Sequence, residues 1–403
     1  MNHVEYVANK KNATTKNPFL ITGNSMHNAD LFYATGFLAG DMFSYLKNDG
    51  GHENDDGGIL LVSKMEEGRA KTESRISDVR TPSDYGIRDK LRIDKTTAYS
   101  SVLFELISKE GISQIDVPRN FPVYIADYLR DKGIVVTPVQ SPFEDVRRVK
   151  NISEIRIIEQ VQHACEFAMK QAVGLISQSS VKDGVLYRKN KDKNKNKGED
   201  EDTPLTSEYV RSAIDHVLLD YGCSADDTIV ACKSSEPHNL GYGALKADEP
   251  IIIDIFPRSK GGRYYSDMTR TVLKGTPSSK VEAMYKDVLD AQVAALSVIK
   301  AGVPASDVHN AVCEIFEKRG HPIDGKDGEG FTHSTGHGVG LDIHEAPAVG
   351  ADGVKLMAGD VITVEPGLYY HDAGGVRLED IVVVTEAGCR NLTMFEKRLV
   401  VDI

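Results

Sequence analysis

No run of about 18 consecutive apolar residues occurs anywhere in the chain, so no membrane-spanning helix is expected. A CxxC pair is missing as well. The five cysteines (Cys165, Cys223, Cys232, Cys313 and Cys389) are odd in number and widely scattered. That fits reduced thiols in a cytoplasm better than a disulfide framework. Met1 to Lys16 is polar and has no apolar core segment, so no secretory signal is expected and the cytoplasm is the expected location. Positive charge is in deficit: the net charge of -12 argues against nucleic acid as the main partner. Tryptophan is absent, and nothing follows from that.

What is present is enough for two domains, since 403 residues allow two separate cores. Up to about residue 145 short apolar runs alternate with helix-like segments. Phe19–Thr22, Ile59–Val62 and Gly133–Val136 read as buried strands, and Ser100–Ile112 and Pro122–Lys132 as helices with apolar residues three and four apart. Mixed β and α in this order predicts a three-layer α/β unit. His3, His27 and His52 have no acids in ligand spacing and read as surface or cap histidines. Asp49 to Gly58 reads as a loop by composition.

At Asn151 the pattern changes. Asn151 followed by Glu154 predicts a capping box, and a long helix with Ile155, Ile158, Val161, Cys165, Ala168 and Ala172 on one face should follow. This places a boundary near residue 147, with an N-terminal domain over 1–147 and a second domain over 148–403. Residues 188–203 turn from a lysine run into Glu199-Asp200-Glu201-Asp202, which predicts a solvated loop inserted between helices. The rest of the second domain follows one plan twice. Helices Ser153–Leu175 and Ser207–Asp220 precede strands ending in Ile251–Phe256 and Tyr264–Val272. Helices Lys280–Ile299 and Ala305–Lys318 precede strands ending in Val361–Glu365 and Val376–Val384. Such a repeat predicts a pseudo-twofold axis with a cavity between two hairpins.

The stretch from His333 to Glu345 holds His333, His337 and His344 among glycines. Imidazole is the commonest transition-metal ligand. The Gly-x-Gly content argues against a helix and for a strand and turn. Asp254 ends Ile251-Ile252-Ile253, and Asp267 follows it by 13 residues; Glu365 ends Ile362-Thr363-Val364, and Glu379 follows it by 14. Each pair should straddle a hairpin. Singly, Asp254 reads as a strand-end turn residue, and Asp267 or Glu379 as partners for Arg270 or Arg377. Jointly, four carboxylates and His337 in one cavity would repel unless cations compensate them. Two divalent metals roughly 3.5–4 Å apart, sharing a water, resolve the problem. An oxygen-rich shell with one imidazole suits Mn²⁺, with Co²⁺, Fe²⁺ or Zn²⁺ able to substitute.

The ordered set Asp254, Asp267, Gly336-His337-Gly338-Val339-Gly340, His344-Glu345-x-Pro347, Thr363-Val364-Glu365-Pro366-Gly367 and Arg377-Leu378-Glu379-Asp380 resembles the M24 metallopeptidases of the creatinase, or pita-bread, fold. The resemblance runs from about residue 150 to the C-terminus. It implies an α+β pita-bread catalytic domain with internal pseudo-twofold symmetry, behind an α/β N-terminal domain similar to that of creatinase. His333, four residues before His337, resembles the aminopeptidase P and prolidase branch rather than methionine aminopeptidase. The implied metal ligands are Asp254 on one ion, Asp267 and Glu379 bridging both, and His337 and Glu365 on the other. The implied catalytic residues are Glu365 as proton shuttle, His238, His333 and His344 toward substrate, and Arg377 in support. The implied reaction is hydrolysis of Xaa-Pro bonds, in dipeptides first and in longer peptides as the alternative, by a homodimer. Asp254 and Asp267 stand two residues further apart than the family's usual eleven, with Pro257 to Gly262 in the connection. A metal-free C–N hydrolase like creatinase and a non-catalytic M24-fold binding protein are the rivals, and such relatives lose ligands that this chain retains.

Overall fold

The computed structural model describes residues 17–47, 57–188 and 203–401. They fall into two compact units, one ending at Arg147 and one beginning at Arg148. His3, His52, most of the Asp49–Gly58 segment and residues 189–202 of the charged insert lie outside the described residues.

The N-terminal unit is built on one six-stranded sheet. Its strand order is Asp78–Arg80, Gly58–Leu61, Phe43–Lys47, Phe19–Gly23, Gln114–Pro118 and Val135–Val139. The first strand pairs antiparallel with Phe43–Lys47 and parallel with Gln114–Pro118. Side chains of a strand alternate between faces, and the sheet obeys this. Leu20 packs with Val102, Leu106 and Leu129 on one side. Phe19 and Ile21 pack with Leu31, Ala70 and Phe143 on the other. Both faces are thus covered by helices, giving the expected three layers. The Phe43–Lys47, Asp78–Arg80 and Gln114–Pro118 strands were not legible in the apolar pattern. His27 is exposed in a turn closed on Asn24.

The second unit carries two helix pairs, each over its own core. The Ile152–Gln178 and Ser207–Asp220 helices share a core with the Ile251–Ile255 and Met268–Val272 strands. The Ser279–Val298 and Ala305–Lys318 helices share one with Val361–Val364 and Asp380–Val384. The plan used twice is therefore present as helix, helix, hairpin. The long helix begins as expected: the Asn151 side chain accepts from the Ser153 and Glu154 amides, and Glu154 returns a bond to the Asn151 amide. Ile158, Val161, Cys165, Ala168 and Ala172 are buried, while Ile155 is only half-buried. The insert after Arg188 stands in the chain between the Ile152–Gln178 and Ser207–Asp220 helices, and its residues 189–202 lie outside the described residues. Val185–Arg188 and Thr203–Pro204 are antiparallel neighbours, with Arg188 opposite Thr203, so the insert leaves and rejoins the chain at paired strands.

Candidate metal centre

The two hairpins set the acids by register. In the first, Asp254 lies opposite Thr269, and Asp267 is one residue ahead of the Met268–Val272 strand. Asp267 therefore shares a face with Thr269, diagonal to Asp254 rather than opposite it. In the second, Val364 pairs with Asp380 and Gly367 with Arg377. The register is continuous, which puts Glu365 directly opposite Glu379. The hairpins join where the Glu379 amide donates to the Thr269 carbonyl, 3.1 Å, and the Arg377 amide donates to Thr271 Oγ1, 3.0 Å. The longer connection after Asp254 is tied down: the Ser266 amide donates to Pro257, and Arg263 takes φ 65° at the turn. Gly262 must lack a side chain there, since a Cβ would meet Ile157 at 2.7 Å.

His337 comes from the short strand Gly336–Gly338, which lies beside Val361–Val364. A Cβ on Gly336 would meet the Thr363 carbonyl at 2.1 Å, so only glycine lets these strands approach. Ligand atoms of Asp267, His337 and Glu379 all lie within 4.8 Å of one another. His337 Nε2 is 3.7 Å from Asp267 Oδ2 and 3.3 Å from Glu365 Oε1. Its Nδ1 donates to the Gly338 carbonyl at 3.2 Å, which leaves Nε2 as the lone-pair nitrogen facing the acids.

The remaining carboxylate contacts are few and orderly. Thr269 Oγ1 donates to Glu379 Oε2 at 2.7 Å, and Thr363 Oγ1 donates to Glu365 Oε1 at 3.2 Å. Arg377 Nη2 donates to Asp254 Oδ2 at 2.7 Å. Three of the other five oxygens, Asp254 Oδ1, Asp267 Oδ1 and Glu379 Oε1, are buried without a hydrogen-bond partner. Their residues are only 9%, 5% and 1% exposed. Buried carboxylate oxygens without donors are costly. The convergence of Asp267 and Glu379 with the His337 imidazole fits a divalent cation, and Asp254 Oδ1 is a further unsatisfied ligand atom in the same hairpins.

Electrostatics agree. Burial, then the charges of Glu379, Asp254 and Glu365, push Asp267 well above the carboxylate range. Burial, then Glu365 and Asp254, do the same to Glu379. Burial raises Glu365 to about 8. Burial also lowers His337 to about 3, with His344 adding to it. The site without cations is a cluster of acids that holds on to its protons.

The other expected residues surround this cluster. The His344 ring meets His337 edge-on, with centroids 4.3 Å apart. His333 donates from Nδ1 to the Ser334 carbonyl at 2.7 Å, so its Nε2 accepts from Tyr369 Oη at 3.0 Å. Burial and then the Arg377 charge lower His333 to about 3. His238 is exposed in the loop between Ile229–Cys232 and Ile251–Ile255, and its charge bears on both His333 and His344. Arg377 is the hub: besides Asp254 it reaches Tyr369 Oη at 2.8 Å, Thr269 Oγ1 at 3.2 Å and the Pro237 carbonyl at 3.1 Å. Arg270, offered as a surface partner for Asp267, is instead buried on Asp380 at 2.9 Å. Tyr369, Thr269 and Thr363 were missed. A signal existed for Tyr369: it lies opposite Gly375, where a Cβ would meet its ring at 2.7 Å, the pattern of an aromatic laid over a cross-strand glycine.

Residues 152–386 match metallopeptidase family M24. The chain is 31% identical over 299 residues to a Xaa-Pro dipeptidase of Pyrococcus horikoshii, covering 72% of this chain and 76% of that one. The crystal structure of the prolidase from Pyrococcus horikoshii superposes with a TM-score of 0.75 at 26% identity, over 95% of each chain. An X-Pro aminopeptidase from Thermotoga maritima superposes with a TM-score of 0.74 at 25% identity, over 95% of this chain and 97% of that one. The fold is theirs: an α/β unit of the creatinase N-terminal kind followed by a pita-bread catalytic unit. Divalent metal is implied by this membership, and the acid cluster fits it. On sequence, fold and the convergence of Asp267, His337 and Glu379, the chain belongs to metallopeptidase family M24.

Proposed function

We propose that this protein is a two-metal Xaa-Pro dipeptidase, with residues 148–403 as the catalytic domain behind an N-terminal domain over 1–147. The observation that carries the metal centre is the convergence of Asp267, His337 and Glu379, both acids having a buried carboxylate oxygen without a hydrogen-bond partner. Asp254, Asp267, His337, Glu365 and Glu379 would hold two divalent ions, Mn²⁺ before Co²⁺, Fe²⁺ or Zn²⁺, because most donors are hard oxygens. When bound, such ions polarise the scissile carbonyl and make water a nucleophile near neutral pH.

The protein's own groups do the rest. Glu365 is fixed by the Thr363 hydroxyl and stands 3.3 Å from His337 Nε2. It takes the proton from the attacking water and delivers it to the proline nitrogen as that nitrogen leaves. His344 and His238 would donate to the substrate oxygens, including the developing oxyanion, while His333, whose ring nitrogens are engaged by Ser334 and Tyr369, would contact the substrate through its ring. Arg377 holds Asp254 and, through Tyr369, orients His333. The dipeptidase likeness favours short substrates; the aminopeptidase likeness supports longer peptides as the second reading. A cytoplasmic homodimer completes the proposal, and the five free cysteines agree with a reducing compartment.

The test is Mn²⁺-dependent cleavage of Ala-Pro and Ala-Pro-Ala, with Glu365→Gln as control. Faster turnover of Ala-Pro, lost on chelation and in the variant, is expected. Faster turnover of Ala-Pro-Ala would move the assignment to an aminopeptidase. Cleavage of neither, with both metals bound, would sink the activity.

A further inference from the structure

The two acids of the second hairpin stand opposite each other as a pair whose amides bond outward, as alternate pairs of an antiparallel ladder do, and the ladder loses a bond just beside them. The Glu365 amide does not bond across the hairpin but donates to the Thr335 carbonyl at 2.8 Å. The Glu379 amide leaves for Thr269. Pro366, next in line, has no N–H to give. The Leu378 amide still donates to the Pro366 carbonyl at 3.4 Å, so the gap beside these two proposed metal ligands is the donor that the Leu378 carbonyl lacks.

Gln292 closes this gap from below. It projects from the Ser279–Val298 helix and is fully buried. Its Nε2 donates to the Val364 carbonyl at 2.9 Å and to the Leu378 carbonyl at 3.1 Å. These are the residues immediately before Glu365 and Glu379. Both partners are acceptors, so the amide orientation follows from chemistry. The cost is visible on the other atom: Gln292 Oε1 is buried with no partner. An apolar residue would fill the space without that penalty, so the amide does something packing cannot. The other half repeats the idea. Gln162, from the matching long helix, accepts from Ser266, the residue before Asp267.

We propose that Gln292 is a positioning residue for the metal centre: by tying Val364 to Leu378 it sets the separation of the Glu365 and Glu379 carboxylates. The inference rests on the two-metal site proposed above. The experiment is calorimetric titration of Mn²⁺ into the stripped full-length protein, for wild type, Gln292→Met and Val288→Ala. Val288 lies on the same helix, equally buried in the same core, and touches no ligand strand carbonyl through a hydrogen bond. Gln292→Met should bind at least one ion about 10- to 100-fold more weakly, as loss of a support behind a ligand usually does. At saturating Mn²⁺ its kcat on Ala-Pro should fall while KM holds. Val288→Ala should lose thermal stability yet bind like wild type. Binding by Gln292→Met within about threefold of wild type, far below the usual loss, would overturn the proposal. So would an equal loss in Val288→Ala. Should Gln292→Met fail to accumulate, Gln292→Glu keeps the shape with at most one donor and is read the same way. Wild type that takes up no Mn²⁺ would overturn the metal site itself, and this inference with it.

Discussion

Glu365→Gln should make the metal-free protein more stable, although it destroys activity. Burial raises the Glu365 carboxyl from an ordinary 4.5 to about 8. A group whose folded pKa is raised adds stability that is complete below its unfolded pKa and is lost as pH climbs through the folded value. The window is therefore about pH 4.5 to 8. At about 1.4 kcal/mol per pKa unit, ionising Glu365 costs the metal-free fold about 3 kcal/mol by pH 7 and about 5 kcal/mol beyond pH 8. Asp267 and Glu379 are shifted the same way and act in the same direction. The amide of Gln keeps an oxygen for the Thr363 hydroxyl and never ionises, so the variant escapes the penalty. The assay is thermal unfolding in EDTA from pH 5 to 9. The variant should match wild type near pH 5 and melt about 6–12 °C higher by pH 7. Added Mn²⁺ should reverse the order, since wild type alone keeps the full ligand set. A wild-type melting temperature that does not fall between pH 5 and 8, or a variant that melts no higher at pH 8, would refute the reasoning.

Three further outcomes are expected. Lys150→Met removes the buried cation that pairs with the Glu345 carboxylate and should cost about 3–5 kcal/mol in denaturant unfolding. Asn151→Ala removes the cap of the long helix and should cost about 1 kcal/mol with kcat unchanged, which unfolding and turnover assays check side by side. Tyr369→Phe deletes the hydroxyl between Arg377 and His333. It should cost about 1–3 kcal/mol in stability and lower kcat on Ala-Pro, while calorimetry still counts two bound ions.

The sequence was most readable where a side chain must be one chemical type. Acids in matched hairpins and a histidine among glycines pointed to the centre, and Asp267, His337 and Glu379 do come together, because few structural roles ask for carboxylates and an imidazole in one place. Helices with a continuous apolar face were placed within a few residues; Ser207–Asp220 and Ala305–Lys318 have the bounds that were expected. Legibility failed where the information is relational. The Phe43–Lys47 strand is buried through its pairing on both edges, which no local period reveals. Asp267 lies diagonal to Asp254 because register, not spacing, decides who faces whom. Gln292 reads as one more polar residue in a helix until the strands above it are known.

The same distinction explains how the fold tolerates its own site. Each acid in the hairpins has one oxygen held by a neutral hydroxyl or a guanidinium, or set toward His337: Glu379 by Thr269, Glu365 by Thr363, Asp254 by Arg377 and Asp267 by the imidazole. For Asp254, Asp267 and Glu379 the second oxygen has no donor. Had protein donors filled those positions too, the carboxylates would be stable alone and poor ligands, since a cation would have to break bonds to enter. Leaving them empty makes the metal-free site costly, which is why a charge-neutral Glu365→Gln should relieve it. Stability withheld from the empty centre is what a bound cation recovers, so ligand strength and apo-state strain should rise and fall together across variants of these four acids.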